Sequence, residues 1–175
     1  MTKRMFFAGT GGQGVLLMGQ MVCSAALHED KAVTFYPSYG PEMRGGTANC
    51  TVIVSDKEIS SPLIFEADAV VAMTPPSMLK FEPMLKPGGI MLLNTSLINQ
   101  TPKRSDITVY NVPAIDLARE LGNARAANVV MLGAFVRTTD VVSSANAEKV
   151  IREVFGAKKA ELVDFNIKAF NHWQM

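Results

Sequence analysis

A glycine-rich segment near the N-terminus is the part of the sequence best suited to bind a phosphate group. The segment Gly9-Thr10-Gly11-Gly12-Gln13-Gly14 follows the apolar run Met5–Ala8 and precedes a long apolar stretch that begins at Val15. Glycines let the backbone approach a ligand closely, and the N-terminus of a following helix offers unpaired N–H groups with a partial positive charge. We therefore predict a ligand-binding loop formed by Gly9, Gly11, Gly12, Gln13 and Gly14.

The spacing also fits the dinucleotide motif G-x-G-x-x-G, but a second requirement of that motif is missing. Dinucleotide-binding folds usually carry an acidic residue about 20 positions after the loop, at the end of the second strand, where it binds the ribose hydroxyls. Here the predicted second strand ends in Phe35-Tyr36, and the acids Glu29 and Asp30 precede it. The sequence therefore disfavours NAD. It leaves two interpretations of the loop, an anion-binding site or a tight turn that allows close packing of helix and strand.

A second glycine-containing segment, Ser38–Gly46, places a phenol, a carboxylate and a guanidinium among permissive backbone positions. Because the carboxyl ends of the first two strands are expected to lie together, both glycine segments could line one crevice. Arg44, Gly45 and Gly46 are the predicted ligand or partner contacts in this segment. The alternative is a surface loop with an internal Glu42–Arg44 pair, and the residues alone favour neither.

Composition and charge narrow the class of protein. The chain has 175 residues, of which 48% are hydrophobic, and we expect one domain over residues 1–175. A net charge of +1 gives no strong field for nucleic acid or a membrane surface. No apolar run approaches the roughly 20 residues that span a bilayer. The N-terminus has no signal-peptide pattern, which predicts a cytoplasmic protein.

Cysteine and histidine usage gives no indication of a metal site. Cys23 and Cys50 do not form a C-x-x-C pair, and His28 and His172 have no nearby ligand partners in the sequence. Both cysteines are expected to be small buried apolar residues. We expect no metal bound by this chain.

Strand-like and helix-like segments alternate along the chain, which predicts an α/β fold. We expect a single Rossmann-like domain with a mainly parallel sheet, helices on both faces and a helical C-terminal part. The predicted strands are 3–8, 31–36, 47–55, 69–73, 90–93 and 107–110. A short second arm around Ile59 could follow the third strand, and 86–89 is predicted to be a turn. The predicted helices are 14–28, 75–85, 113–121, 124–138, 145–155 and 158–171.

Several motifs in a fixed order resemble the gamma subunit of 2-oxoacid:ferredoxin (acceptor) oxidoreductases. They are Gly9–Val15, Tyr39–Ala48, Ser61-Pro62, Ala67-Asp68, Gly88-Gly89 with Asn94, and Asn128–Ala134. The resemblance covers nearly the whole chain and is least distinctive after Phe155. Within the family, the segment Pro37–Asn49 is more similar to the 2-oxoglutarate and branched-chain (2-oxoisovalerate) members than to the pyruvate members.

The resemblance implies a multi-subunit enzyme that oxidatively decarboxylates a 2-oxoacid, with 2-oxoglutarate favoured, to an acyl-coenzyme A. It implies thiamine diphosphate, Mg and iron–sulfur clusters on partner subunits, since this chain has no Gly-Asp-Gly segment and no cluster-forming cysteine pattern. The implied partners are thiamine-binding and ferredoxin-like subunits, with ferredoxin or a similar protein as electron acceptor. No catalytic residue is assigned to this chain.

The resemblance further implies that this chain helps to bind coenzyme A and to assemble the complex. The first loop suits the pyrophosphate of coenzyme A, and Asn94 and Asn128 are weaker candidate contacts. For Asn128, capping of a neighbouring loop is the simpler interpretation. Two other functions stay open: a free-standing nucleotide-binding regulatory module, and the small subunit of indolepyruvate oxidoreductase, which shares a similar first loop.

Overall fold

A six-stranded sheet forms the centre of the computed structural model, which describes residues 1–39, 46–156 and 160–175. The strands are β1 (Thr2–Thr10), β2 (Ala32–Tyr39), β3 (Thr47–Ser55), β4 (Ala67–Ala72), β5 (Leu85–Asn94) and β6 (Thr108–Val112). The helices are α1 (Val15–Leu27), α2 (Pro75–Phe81), α3 (Ala114–Glu120), α4 (Ala127–Thr139), α5 (Ser144–Gly156) and α6 (Ala160–His172). The predicted α/β class and the helical C-terminal part are confirmed.

The sheet has the order β2-β3-β1-β4-β5-β6 and is parallel except for β3. β1, β4, β5 and β6 run in the same direction, whereas β3 is antiparallel to both β1 and β2. The expectation that the first two strands end side by side needs correction, because Ala48 of β3 pairs with Gly9 on one side and Tyr39 on the other. The chain between β2 and β3 is too short for a parallel crossover, which takes about a dozen residues or more.

The two faces of the sheet are covered very differently. Along β1, Met5 and Phe7 point to one face and Phe6 and Ala8 to the other, because successive side chains of a strand alternate. The face of Phe7, here named the thick face, packs against α1 and α4, with α3, α5 and α6 in the same core. The face of Phe6, the thin face, packs against α2 and the irregular segments 56–66 and 95–107.

Local deviations from the predicted elements occur on the thin face. The helix predicted for 75–85 ends at Phe81, and a 3-10 turn at Glu82–Met84, which contains Pro83, leads directly into β5. Proline removes a helical N–H donor and disfavours continuation of the helix. The predicted turn at 86–89 is part of β5, although Gly88 has a φ of +74°. No strand forms around Ile59, which lies in irregular backbone.

Helix α4 is the centre of the thick face and is buried from Ala127 to Val136. Its Phe135 packs edge-on against Phe7, with 5.0 Å between ring centroids. A methyl group at Gly133 would overlap the carbonyl oxygen of Phe170 in α6, so glycine is needed for these two helices to approach each other. In the described part of the chain, no helix combines the length and apolar character needed to cross a bilayer.

Candidate functional site

The first glycine loop, residues 9–14, connects β1 to α1 and contains two glycines in the left-handed region. Gly12 has a φ of +93°, and Gly14, the N-cap of α1, has a φ of +73°. A methyl group at Gly12 would meet nothing within 4 Å, whereas one at Gly14 would overlap the side-chain amide of Asn128. Gly12 is therefore required for its backbone conformation alone, and Gly14 for both its conformation and its packing.

Gly9 has a different role, because it is part of β1 and is buried. A methyl group there would lie 2.5 Å from Gln13 Oε1 and 2.9 Å from Met73 Cβ. Gly9 thus lets the loop fold tightly against the residue that follows β4. Of the two interpretations of the loop glycines, close packing describes Gly9.

The backbone donors of the loop divide into two sets. The Gly11 N–H donates to the Gly46 carbonyl at 2.9 Å, and the Gln13 N–H donates to the Thr10 carbonyl at 3.2 Å. Gln13 Oε1 also accepts from the Thr10 N–H at 2.8 Å. These bonds shape the loop, whereas the N–H groups of Gly12, Gly14 and Val15 have no acceptor among the described residues.

The start of α1 is electrostatically open to an anion. Its first turn carries no acidic residue, and no side chain caps it. The unpaired N–H groups at the start of a helix carry the positive end of the helix dipole, which favours a negatively charged ligand. Phosphate is a common occupant of such a position.

Asn128 reaches the loop from the second residue of α4 and lies over Gly14. The residue is 7% exposed, and its amide makes no hydrogen bond to any residue the structure describes. Capping before α4 comes instead from Asn123, whose Oδ1 accepts from the Arg125 N–H at 3.0 Å. The Asn128 amide is therefore available to a ligand or water at the loop.

Asn94 lies deeper than the sequence suggests. It is the last residue of β5 and is fully buried, and its Nδ2 donates to the Met73 carbonyl at 3.2 Å. Its Oδ1 is buried without a partner in the described part of the chain. Asn94 therefore holds the end of β4 behind the glycine loop, and its direct contact with a ligand stays a prediction.

Two cavities flank the glycine loop. The first has a volume of about 470 Å³ and lies on the β3 side. The second has a volume of about 230 Å³ and lies on the side of β4 and α4. Gly12 lines both cavities, so the loop forms the ridge between them. The first cavity is lined by Thr10, Gly11, Gly12, Gly14, Val15, Leu16, Leu17, Gln20, Thr47 and Ala48, and the second by Gly12, Gln13, Met73, Ile115, Ala124, Arg125 and Ala127.

The second glycine segment is only partly described. Arg44 and Gly45, together with residues 40–43, lie outside the described residues, so their predicted contacts stay predictions. Gly46 is described, and its carbonyl holds the Gly11 N–H. The two glycine segments are therefore joined by a hydrogen bond.

The cysteines near the site are chemically inert. Burial, with a smaller contribution from Cys23, raises the pKa of the Cys50 thiol to about 12, and burial raises that of Cys23 to about 12. Cys50 Sγ donates to the Val15 carbonyl at 3.7 Å, beneath the start of α1. Because the thiolate is the nucleophilic form, neither residue provides a nucleophile at neutral pH. Both cysteines are buried and free, as predicted.

Sequence reasoning did not identify Arg125. It is exposed, lines the second cavity with Gly12 and Gln13, and is the only charged side chain among the described lining residues of the two cavities. The available signal was its position three residues before Asn128, a residue that the motif already included. The described residues therefore form a candidate binding site with backbone N–H donors, side-chain amides and one cation, without a pair of groups for acid–base catalysis.

Comparison with protein families gives a match over residues 4–172 to the family described as pyruvate ferredoxin/flavodoxin oxidoreductase. Among related proteins, the chain is 37% identical over 166 residues to ketoisovalerate oxidoreductase subunit VorA of Methanothermobacter marburgensis, covering 94% of this chain and 34% of VorA. It is 33% identical over 171 residues to 2-oxoglutarate synthase subunit KorC of Methanocaldococcus jannaschii, covering 95% of this chain and 91% of KorC. The chain thus spans about a third of the length of VorA and nearly all of KorC.

Two solved structures have the same fold. The keto/oxoacid ferredoxin oxidoreductase gamma subunit of Geobacter sulfurreducens is 34% identical with a TM-score of 0.82, covering 97% of this chain and 95% of that subunit. The 2-oxoglutarate:ferredoxin oxidoreductase of Magnetococcus marinus, with 2-oxoglutarate, coenzyme A and succinyl-CoA bound, has a TM-score of 0.89 at 23% identity. The match covers 97% of this chain and 30% of the Magnetococcus chain. The resemblance inferred from the sequence motifs is confirmed.

Proposed function

The chain belongs to the pyruvate ferredoxin/flavodoxin oxidoreductase family, and we propose that it is the gamma-type subunit of a complex that oxidatively decarboxylates a 2-oxoacid to an acyl-coenzyme A. Its part in that reaction is to help bind coenzyme A and to assemble the complex. The observation that carries the proposal is the glycine loop, where the N–H groups of Gly12, Gly14 and Val15 meet no acceptor among the described residues.

Coenzyme A suits this loop because it carries a pyrophosphate and a 3′-phosphate. The loop offers backbone donors at the positive end of α1 and has no acid in its first turn. Support also comes from the Magnetococcus enzyme, which holds coenzyme A and contains a domain of the same fold. The absence of an acid at the end of β2 agrees with a nucleotide bound in a pose other than that of NAD.

The chemistry of decarboxylation is assigned to partner subunits. Thiamine diphosphate with Mg, bound by a partner subunit, would supply an electron sink for decarboxylation, and iron–sulfur clusters on partner subunits would supply one-electron acceptors. This chain holds the phosphates of coenzyme A, so that the thiol can reach the acyl group in the thiamine-bearing subunit. We propose thiamine-binding and ferredoxin-like subunits as partners, ferredoxin or a similar protein as acceptor, and the cytoplasm as location.

The proposed 2-oxoacid is 2-oxoglutarate. The relative named 2-oxoglutarate synthase subunit KorC is 33% identical, and the match covers 91% of its length. A branched-chain oxoacid is the second candidate, because the identity to ketoisovalerate oxidoreductase subunit VorA is 37%. Assays of the purified complex with 2-oxoglutarate, 3-methyl-2-oxobutanoate and pyruvate distinguish these substrates by their kcat/KM values.

A substitution at Gly12 tests the role of the loop in the assembled complex. Gly12→Asp introduces a negative charge where a phosphate is expected, and we expect the KM for coenzyme A to rise at least about tenfold. Gly88→Asp is the matched control, because Gly88 has a φ of +74° and equally open surroundings but lies near the start of β5, at the opposite edge of the sheet from the loop. If Gly12→Asp leaves the coenzyme A dependence of acyl-coenzyme A formation unchanged, the proposed role of the loop is wrong.

A further inference from the structure

The second cavity brings a cation to the glycine loop. Arg125 lines this cavity together with Gly12 and Gln13, although it lies more than 100 residues later in the chain. Its backbone is fixed by the Asn123 side chain, which accepts the Arg125 N–H, so the residue is anchored in a short 3-10 turn before α4. An arginine presented from an anchored backbone loses less freedom when it binds a ligand than one on a free loop.

The Arg125 guanidinium has no carboxylate partner among the described residues, and no acid is among the described residues that line either cavity. This differs from nearby Arg119, which forms an ion pair with Asp116 at 3.4 Å. Arginine presents several N–H donors in a planar arrangement that matches the oxygens of a phosphate. The second cavity therefore combines a free cation with the backbone donors of the loop.

Asn128 gives an independent indication that the loop binds a ligand. The residue is 7% exposed and lies over Gly14, and its amide makes no hydrogen bond to the described residues, so it is a polar group at the N-terminus of α1 without a partner among them. Arg125 lies in the 3-10 turn directly before α4, and Asn128 is the second residue of α4. An anion at the loop would meet backbone donors, an amide and a guanidinium together.

We propose that Arg125 binds a phosphate group of the ligand held by the glycine loop, with the Asn128 amide as the neighbouring donor. The inference rests on the proposed function, in which that ligand is coenzyme A. Arg125 is then a binding residue that supplies the positive charge of the site and takes no part in proton transfer. The phosphate is either the pyrophosphate or the 3′-phosphate, which share the same chemistry.

The test compares Arg125→Gln, Arg125→Lys and the control Arg119→Gln in the assembled complex, with the KM and kcat for coenzyme A as readouts. We expect Arg125→Gln to raise the KM about tenfold to a hundredfold while kcat changes less than about twofold, because a charge-assisted hydrogen bond to the ligand is lost. Arg125→Lys should recover part of the affinity, since it keeps the charge without the planar donors. Arg119→Gln should behave like the unmodified complex.

Dephospho-coenzyme A, which lacks the 3′-phosphate, identifies the phosphate involved. If Arg125→Gln weakens coenzyme A but not dephospho-coenzyme A, the contact is to the 3′-phosphate. If both ligands are weakened equally, the contact is to the pyrophosphate. Either outcome supports the proposal.

Two outcomes overturn it without refuting the proposed function. One is an unchanged KM for coenzyme A in Arg125→Gln while Gly12→Asp raises it, which would leave the loop as the phosphate site without Arg125. The other is an equal rise in Arg119→Gln, which would indicate a general effect of charge. An unchanged KM in both Gly12→Asp and Arg125→Gln refutes the proposed function as well, so the two failures are distinguishable. Complex assembly and melting temperature are measured for every variant.

Discussion

The thick and thin faces of the sheet use similar strand residues but serve different purposes. On the thick face, α1 and α4 lie directly on the strands and α3, α5 and α6 share their core. On the thin face, α2 and two irregular segments provide the cover. These covering elements leave large apolar side chains exposed, with Phe65 at 84% and Leu63 at 59%.

The glycine loop depends on the thick face. The loop leads directly into α1. Arg125 lies in the 3-10 turn before α4, and Asn128 lies in the first turn of α4. α4 is buried over most of its length, so its first residues are held by the core of the molecule. The candidate site therefore lies on the face of the sheet that is covered by more helices.

The largest effect that tests this difference is expected from the two adjacent phenylalanines of β1. Phe7 is fully buried on the thick face against Phe135, and Phe6 is 5% exposed on the thin face against Phe81. We expect Phe7→Ala to lower the free energy of unfolding by about 4 kcal/mol. Phe6→Ala should cost about 1 kcal/mol less, because irregular segments can collapse into the cavity more readily than packed helices.

Chemical denaturation of both variants measures this pair directly. The expected difference in packing between the thick and thin faces would be wrong if Phe6→Ala were the more destabilising of the two variants.

A smaller effect on stability, with a sign that is diagnostic, is expected at Gly133. Gly133→Ala should destabilise by about 2–3 kcal/mol, since the new methyl group overlaps backbone of α6 that cannot move without separating the helices. In a helix interior, replacement of glycine by alanine is normally stabilising by up to about 1 kcal/mol, so the sign itself is diagnostic. Gly156→Ala is the control, because its methyl group would make an ordinary contact of 3.6 Å with Val163. Equal melting temperatures for the two variants would contradict close packing of α4 and α6.

The smallest effect concerns Glu29, which joins the end of α1 to the start of α5 on the thick face. Its carboxylate accepts from Lys31 Nζ at 2.6 Å, from the Ser143 N–H at 2.7 Å and from Asn146 Nδ2 at 3.1 Å. Burial alone would raise the pKa of Glu29, but these hydrogen bonds outweigh it and lower the pKa from 4.5 to about 2. Glu29→Gln should therefore lower the free energy of unfolding at neutral pH by about 1–2 kcal/mol.

The pH dependence of this loss has a defined direction. Because the pKa of Glu29 is lower in the folded protein, its stabilisation is complete above the unfolded value of 4.5 and disappears as the pH falls towards about 2. The difference in unfolding free energy between the unmodified protein and Glu29→Gln should shrink between pH 5 and pH 3, with the exposed Glu58→Gln as control. A difference that stays constant over this range would show that the carboxylate charge is not the cause.

Local sequence patterns predict much of this fold. The continuous apolar runs of β1 and β4 predicted strands, and both strands lie close to the predicted positions. The direction of β3 was missed, although the short connection after Tyr39 already excluded a parallel crossover. Pro83 ended a predicted helix early for a reason visible in the sequence, since proline interrupts helical hydrogen bonding.

Sequence reasoning predicted the candidate site only where a local sequence motif indicates it. Gly12 and Gly14 have the positive φ angles that a glycine motif indicates. The contact of Asn128 with Gly14 and the position of Arg125 beside Gly12 join residues more than 100 positions apart, and these depend on how α4 packs on the sheet. Asn94 was named as a ligand contact from the family motif and stays a prediction, and its burial at the end of β5, where its Nδ2 donates to the Met73 carbonyl, could not be read from that motif.

The uneven use of backbone donors in the glycine loop has a consequence for its amide protons. The Gly11 and Gln13 protons are hydrogen-bonded within the protein, so they should exchange slowly with solvent deuterium whether or not a ligand is present. The Gly12 and Gly14 protons have no such partner among the described residues, and their exchange should slow only when an anion occupies the loop. Four neighbouring amides thus contain both an internal reference and a reporter of occupancy.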